Sequence, residues 1–109
     1  MDFKEYQKIV TDNAIYPNKG NNFIYPVLGL AEESGEVVGK IKKALRDDNG
    51  IITGERKQAI KKELGDCCFY LAAECSELGL TLEEVIEENI KKMFDRRERG
   101  TLHGSGDDR

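Results

Sequence analysis

The chain has one histidine, two prolines, no tryptophan and no long apolar run. Each shortage removes a class of protein. The lone His103 lies in a Gly-rich C-terminal stretch, so sites that need clustered histidines are excluded, among them the Glu-x-x-His pairs of di-iron carboxylate bundles. The three cysteines, Cys67, Cys68 and Cys75, are odd in number and form no C-x-x-C pair, which argues against a zinc knuckle or a disulfide framework. They read as small buried hydrophobes. Pro17 and Pro26 both fall in the first quarter, leaving everything after Pro26 free to be helical. A membrane span needs about 18 consecutive apolar residues, and the opening Met1-Asp2-Phe3-Lys4-Glu5 lacks the apolar segment of a signal peptide. A cytoplasmic protein that does not engage a membrane is therefore expected. Its net charge of −4 argues against general affinity for nucleic acid.

What is present is helical. At 109 residues the chain makes one domain, and with 39% hydrophobic and 35% charged residues it reads as a charge-coated helical protein whose small core invites oligomerisation. A helical domain over residues 1–99 and a Gly-rich tail over 100–109 are expected. Asp2 caps a first helix to about Asn13. Turn residues mark Ala14 to Phe23 as a loop. A second helix runs from Tyr25 or Pro26 to about Arg46, its apolar face traced by Val27, Leu30, Ala31, Val38, Ile41 and Leu45. A third runs from about Glu55 to Leu78, with Ile60, Leu64, Cys67, Cys68, Leu71, Cys75 and Leu78 inward and Gly79 as C-cap. Thr81-Leu82-Glu83-Glu84 reads as a capping box that opens a fourth helix to about Arg99, with Leu82, Val85, Ile86, Ile90 and Phe94 inward.

The second and third helices share a phrase. Glu33-Ser34-Gly35-Glu36 recurs thirty residues later as Glu63-Leu64-Gly65-Asp66, and the apolar neighbours repeat in register: Leu30 with Ile60, Val37 with Cys67, Val38 with Cys68, Ile41 with Leu71. Residues i and i+3 share a helix face, so each phrase presents two carboxylates, on the flank of its apolar stripe. The glycines of these helices are read as sites of close packing. If the helices pack antiparallel, Glu33, Glu36, Glu63 and Asp66 meet, and four carboxylates repel one another unless a cation or protons neutralise them. Oxygen-only ligands suit a hard cation, Mg2+ best, and Mg2+ in turn implies a phosphate-bearing substrate. Glu32 is a nearby, solvated fifth acid. Asn89, Lys92 and Arg96 fall along one side of the fourth helix, where they could bind phosphate or form an ordinary solvated face. Tyr70, one turn beyond Asp66, is placed to touch a sugar or base or to pack at the bundle edge. The loop with Tyr16, Lys19, Asn21 and Asn22 is a candidate for ligand contact.

These residues resemble the EExxE...ExxD pattern of the MazG-like nucleoside triphosphate pyrophosphohydrolases of the all-alpha NTP pyrophosphatase superfamily. Glu32-Glu33-Ser34-Gly35-Glu36, Glu63-Leu64-Gly65-Asp66, and Asn89 to Lys92 with Arg96 carry the likeness, which extends from Tyr25 through the tail. The resemblance implies an all-α, four-helix-bundle-type MazG-like fold completed by dimerisation, as a homodimer or homotetramer. It also implies Mg2+-dependent hydrolysis of a nucleoside triphosphate to monophosphate and pyrophosphate, with Mn2+ as a substitute. By motif position Glu33, Glu36, Glu63 and Asp66 would hold the metal, and Glu33 or Glu32 would position the water or accept its proton. Asn89, Lys92 and Arg96 would bind phosphates, Tyr70 would contact the nucleoside, and Lys19 and Asn22 would line the base pocket. The alternatives are a dUTPase-like or phosphoribosyl-ATP pyrophosphohydrolase activity, or a non-catalytic helical dimer that senses nucleotides.

Overall fold

The computed structural model describes the chain from Met1 to Arg109 as four helices without a strand: α1 (Phe3–Asn13), α2 (Ile24–Asp47), α3 (Gly54–Glu77) and α4 (Leu82–Glu98). Their starts are fixed locally. Asp2, Thr53 and Thr81 accept the backbone N–H of Glu5, Arg56 and Glu84 at 2.8, 3.2 and 3.1 Å, caps worth about 1 kcal/mol each. At the start of α2, Asn22 Oδ1 accepts the N–H groups of Ile24 and Tyr25 at 3.3 and 3.1 Å. Beyond α3, Gly79 takes φ +70° and Leu80 N–H donates to Cys75 O at 2.8 Å, the left-handed C-cap expected there.

α2 packs against α3 alone, as an antiparallel hairpin, while α1 and α4 pack on each other and on α3. The seam of the hairpin is not the stripe read from the sequence. Among its buried and half-buried positions are Pro26, Leu30, Glu33, Val37, Lys40 and Ala44 on α2, and Arg56, Ile60, Glu63, Cys67, Tyr70 and Glu74 on α3. Both sets advance by alternating steps of four and three residues, the spacing of a coiled-coil seam. Glu33 and Glu63 are thus part of the seam rather than beside it. Val38 and Leu45, placed inward by the sequence reading, are about two-thirds exposed, and Val27, Ile41, Leu64, Leu71, Leu78, Ile90 and Phe94 also stand exposed. Every position from 27 to 41 shares its degree of burial with its counterpart thirty residues on. The sequence repeat is a structural repeat.

The small core lies at the far end of α3, where Val10, Ala72, Ala73, Cys75 and Leu82 meet. Gln7 fastens it: its Nε2 donates to Ser76 Oγ and Leu80 O, both at 3.0 Å, and its Oε1 accepts Leu82 N–H at 2.8 Å. Of the cysteines only Cys75 is buried; Cys67 is half-buried in the seam, and Cys68 is exposed. The radius of gyration is 16.7 Å, against about 13 Å for a compact chain of this length, because the far arm of the hairpin has no second layer. No helix is long and apolar enough to cross a membrane.

Candidate metal centre

The hairpin brings three carboxylates together. Oxygens of Glu33 from α2 and of Glu63 and Asp66 from α3 lie within 4.8 Å of one another, the two glutamates half-buried and Asp66 exposed. Glu36 stays exposed and apart from the three, as does Glu32. The donors are hard oxygens on two rigid helices, held close enough to share one cation, and so they fit Mg2+ or Mn2+. Gly35 does not serve close packing: a Cβ there would meet nothing within 4 Å, because Gly35 points away from the seam. Gly65 is likewise open, whereas Gly29 is required, since its Cβ would fall 2.5 Å from the Tyr70 ring.

The crowding has an electrostatic signature. The Glu33 carboxyl is pushed above the ordinary glutamate range, first by burial, then by the hydrogen bond that its protonated form donates to Glu63, and by the charges of Asp66, Glu63 and Glu32. A carboxyl with a raised folded pKa stabilises the fold fully below the ordinary glutamate value of about 4.3, and that contribution is lost as pH rises through the folded value. Glu33→Gln should therefore raise the melting temperature of the metal-free protein at pH 7, with the gain vanishing near pH 4. Thermal melts in EDTA at both pH values check this. A gain that is the same at both would sink the crowding account.

Lys40 was not marked by the sequence reading. Its Nζ lies 3.4 Å from Glu63 Oε1, with both side chains largely covered. The signal was available: Lys40 follows Glu33 by seven residues, as Tyr70 follows Glu63, so the repeat gives them equivalent seam positions.

An aromatic corner closes one end of the carboxylate cluster. The Tyr70 ring lies on Gly29, and its hydroxyl is held above the usual range by burial and then by neighbouring Tyr25, Glu33, Glu32 and Asp66. Tyr25 stacks on Tyr16, ring centres 5.1 Å apart and planes 7° from parallel. Tyr16 is held in turn by Glu77, a residue the sequence reading passed over. The Glu77 carboxylate accepts Tyr16 Oη at 2.6 Å and the N–H groups of Gly20 and Asn22 at 2.7 and 3.1 Å, so one side chain pins the loop before α2. The hydrogen bond from Tyr16 keeps the Glu77 carboxyl below its usual range. Lys19 and Asn22 are engaged by backbone carbonyls, Lys19 Nζ donating to Thr11 O of α1 at 2.8 Å and Asn22 Nδ2 to Pro17 O of the loop at 2.8 Å.

On α4, Asn89 and Lys92 line a groove with Leu80, Glu84, Val85 and Glu88 that includes none of the three clustered acids. Lys92 and Arg96 do converge. The Asp107 carboxylate from the tail lies 3.0 Å from Lys92 Nζ and 3.1 Å from an Arg96 nitrogen, and that nitrogen also donates to Asp107 O at 2.8 Å. Hydrogen bonds from the two cations hold the Asp107 carboxyl below its usual range. Arg96 is buried, and its Nε has no partner. The tail is folded: Arg109 donates to the carbonyl oxygens of Thr101 and Leu102, both at 2.9 Å.

Fold and site together define an all-helical protein whose central hairpin carries a repeated acid pair fit for a hard divalent cation. Residues 26–101 match the MazG nucleotide pyrophosphohydrolase domain, and the chain belongs to that family. The chain is also 39% identical to the Gene 37 protein of Mycobacterium phage L5 over 109 residues, covering 95% of this chain and 96% of that one. No solved structure matches it.

Proposed function

We propose that the protein is a Mg2+-dependent nucleoside triphosphate pyrophosphohydrolase that converts (d)NTP to (d)NMP and pyrophosphate. The observation that carries this reading is the convergence of Glu33, Glu63 and Asp66 oxygens from two helices within 4.8 Å, in a chain of this family. Glu36, one turn from Glu33 on the same helix, completes the ligand set by swinging toward the other three. Bound there, Mg2+ supplies electrostatic stabilisation of the charge that builds on the phosphate oxygens.

The protein's own groups supply the rest. Water attacks the α-phosphorus, the bond to the α–β bridging oxygen breaks, and that oxygen leaves with pyrophosphate. Glu33 or its neighbour Glu32 orients the water and takes its proton. Lys92 and Arg96, which here hold a carboxylate, have the charge and spacing to hold a phosphate, with Asn89 beside them. Tyr70 and the Tyr16–Tyr25 stack offer the nucleoside an aromatic surface, behind the loop that carries Lys19 and Asn22. Because the α4 groove and the acid cluster are separate in one chain, and so many apolar side chains stand exposed, the working form is a homo-oligomer.

Pyrophosphate release measured with Mg2+ across a panel of ribo- and deoxynucleotides tests the reading. Triphosphates should turn over, and chelation should stop them. Turnover of dUDP, read as orthophosphate release because a diphosphate yields no pyrophosphate, points to the dUTPase-like activity, and turnover of phosphoribosyl-ATP to that hydrolase. No turnover of any nucleotide by folded protein overturns the enzyme reading in favour of a nucleotide-sensing helical dimer.

A further inference from the structure

Around the acids the seam of the α2–α3 hairpin pairs like with like, from Leu30 and Ile60 to Val37 and Cys67, and the next pair breaks the match. Glu33 matches Glu63, Val37 matches Cys67, and Leu30 matches Ile60, with matching burial, but Lys40 stands where the repeat has Tyr70. Each of these two odd residues reaches across to the opposite helix. The Tyr70 ring rests on Gly29, near Glu33, and the Lys40 ammonium reaches Glu63 at 3.4 Å. An ammonium at a coiled-coil seam position is a poor choice for packing alone, even with its methylene stem covered. It lies beside a ligand carboxylate, where an unshared cation opposes metal binding. A group of this kind makes sense if the occupant brings more negative charge than the carboxylates can neutralise through one metal.

We propose that Lys40 is a positioning residue, which holds the polyphosphate end of the nucleotide at the Glu63 side of the site and so fixes the direction in which the substrate lies. The proposal rests on the metal reading above. The two ends of the site then have different chemistry. An ammonium marks the phosphate end, and Tyr70, with Tyr25 and Tyr16 behind it, marks the nucleoside end. Mg2+ and Lys40 share the negative charge of the β- and γ-phosphates, whereas without nucleotide Lys40 falls back on Glu63.

This arrangement makes opposite demands on two equilibria. In Lys40→Met the loss of a positive charge beside Glu63 should tighten binding of Mn2+ alone on the order of tenfold. The same change should weaken binding of magnesium pyrophosphate on the order of tenfold, and Lys40→Arg should restore both toward wild type. Titration calorimetry with Mn2+, and with pyrophosphate in saturating Mg2+, reads the two separately. A lysine that only braces the hairpin would move both affinities in one direction together with the melting temperature, and that result overturns the proposal. Mn2+ binding by wild type with unchanged constants in Lys40→Met overturns it alone. No Mn2+ binding by folded wild type overturns the metal reading, and the role of Lys40 falls with it.

Discussion

Glu63→Gln and Asp66→Asn should each lower nucleotide hydrolysis by at least about a thousandfold, and abolish the rise in melting temperature that Mg2+ gives the wild type. The three clustered oxygens come from one residue of α2 and two of α3, so each α3 substitution removes one of the three preassembled charges. Neither variant loses an apolar contact, and both relieve like-charge repulsion in the metal-free protein, so the helical circular dichroism should be unchanged. Glu36→Gln should fall between these variants and wild type, because the Glu36 carboxylate has to turn inward to bind. Activity within tenfold of wild type in Glu63→Gln or Asp66→Asn, or a retained Mg2+ shift, would remove the three-acid cluster from the chemistry.

The second large effect concerns the face of α2 that no helix of the same chain covers. Val38 and Leu45 are 64% and 67% exposed, on one side of a helix that packs only on α3. Burying a valine or leucine side chain is worth about 1.5–3 kcal/mol, and a twofold interface buries each residue twice. Leu45→Asp should therefore weaken self-association by about 3–6 kcal/mol, a factor on the order of 10² to 10⁴ in the dissociation constant. Sedimentation at micromolar concentration should show monomer for this variant and a larger species for wild type. Hydrolysis should fall with the assembly, because the α4 groove is separate from the acid cluster in one chain. Equal sedimentation of the two proteins would rule out this face as the interface.

Local chemistry was the most legible part of the sequence. Asp2, Thr81 and Gly79 each announced a helix end, and the boundaries that they imply hold to within a residue or two. The side-chain cap of α2 by Asn22 and the cap of α3 by Thr53 went unmarked. The repeat of acid pairs across two helices was also visible, and Glu33, Glu63 and Asp66 do meet. The seam itself was hidden. Apolar periodicity pointed to Val38, Ile41 and Leu45, but α2 has two faces with hydrophobic residues, and within one chain the face that packs is the one with two charged side chains. A hydrophobic pattern reports that a face is apolar, not which face the neighbouring helix covers. Glu77 was invisible for a related reason. A lone Glu in a chain of 35% charged residues carries no sequence mark, and its role exists only through partners 55 to 61 residues away. Lys40 was legible only through the repeat that aligns it with Tyr70, and its partner Glu63 lies across the hairpin.

The hairpin that carries the acids costs less chain entropy to assemble than the docking of α1. Glu33 and Glu63 are thirty residues apart, whereas the Gln7–Ser76 clasp that docks α1 spans 69. Loop-closure cost grows with the logarithm of the separation, so bringing the carboxylates together is cheaper than closing that clasp by about 0.7 kcal/mol. Repulsion among the acids thus acts against a more local contact than that clasp, and a cation that quenches it stabilises the hairpin, on whose α3 helix α1 and α4 dock.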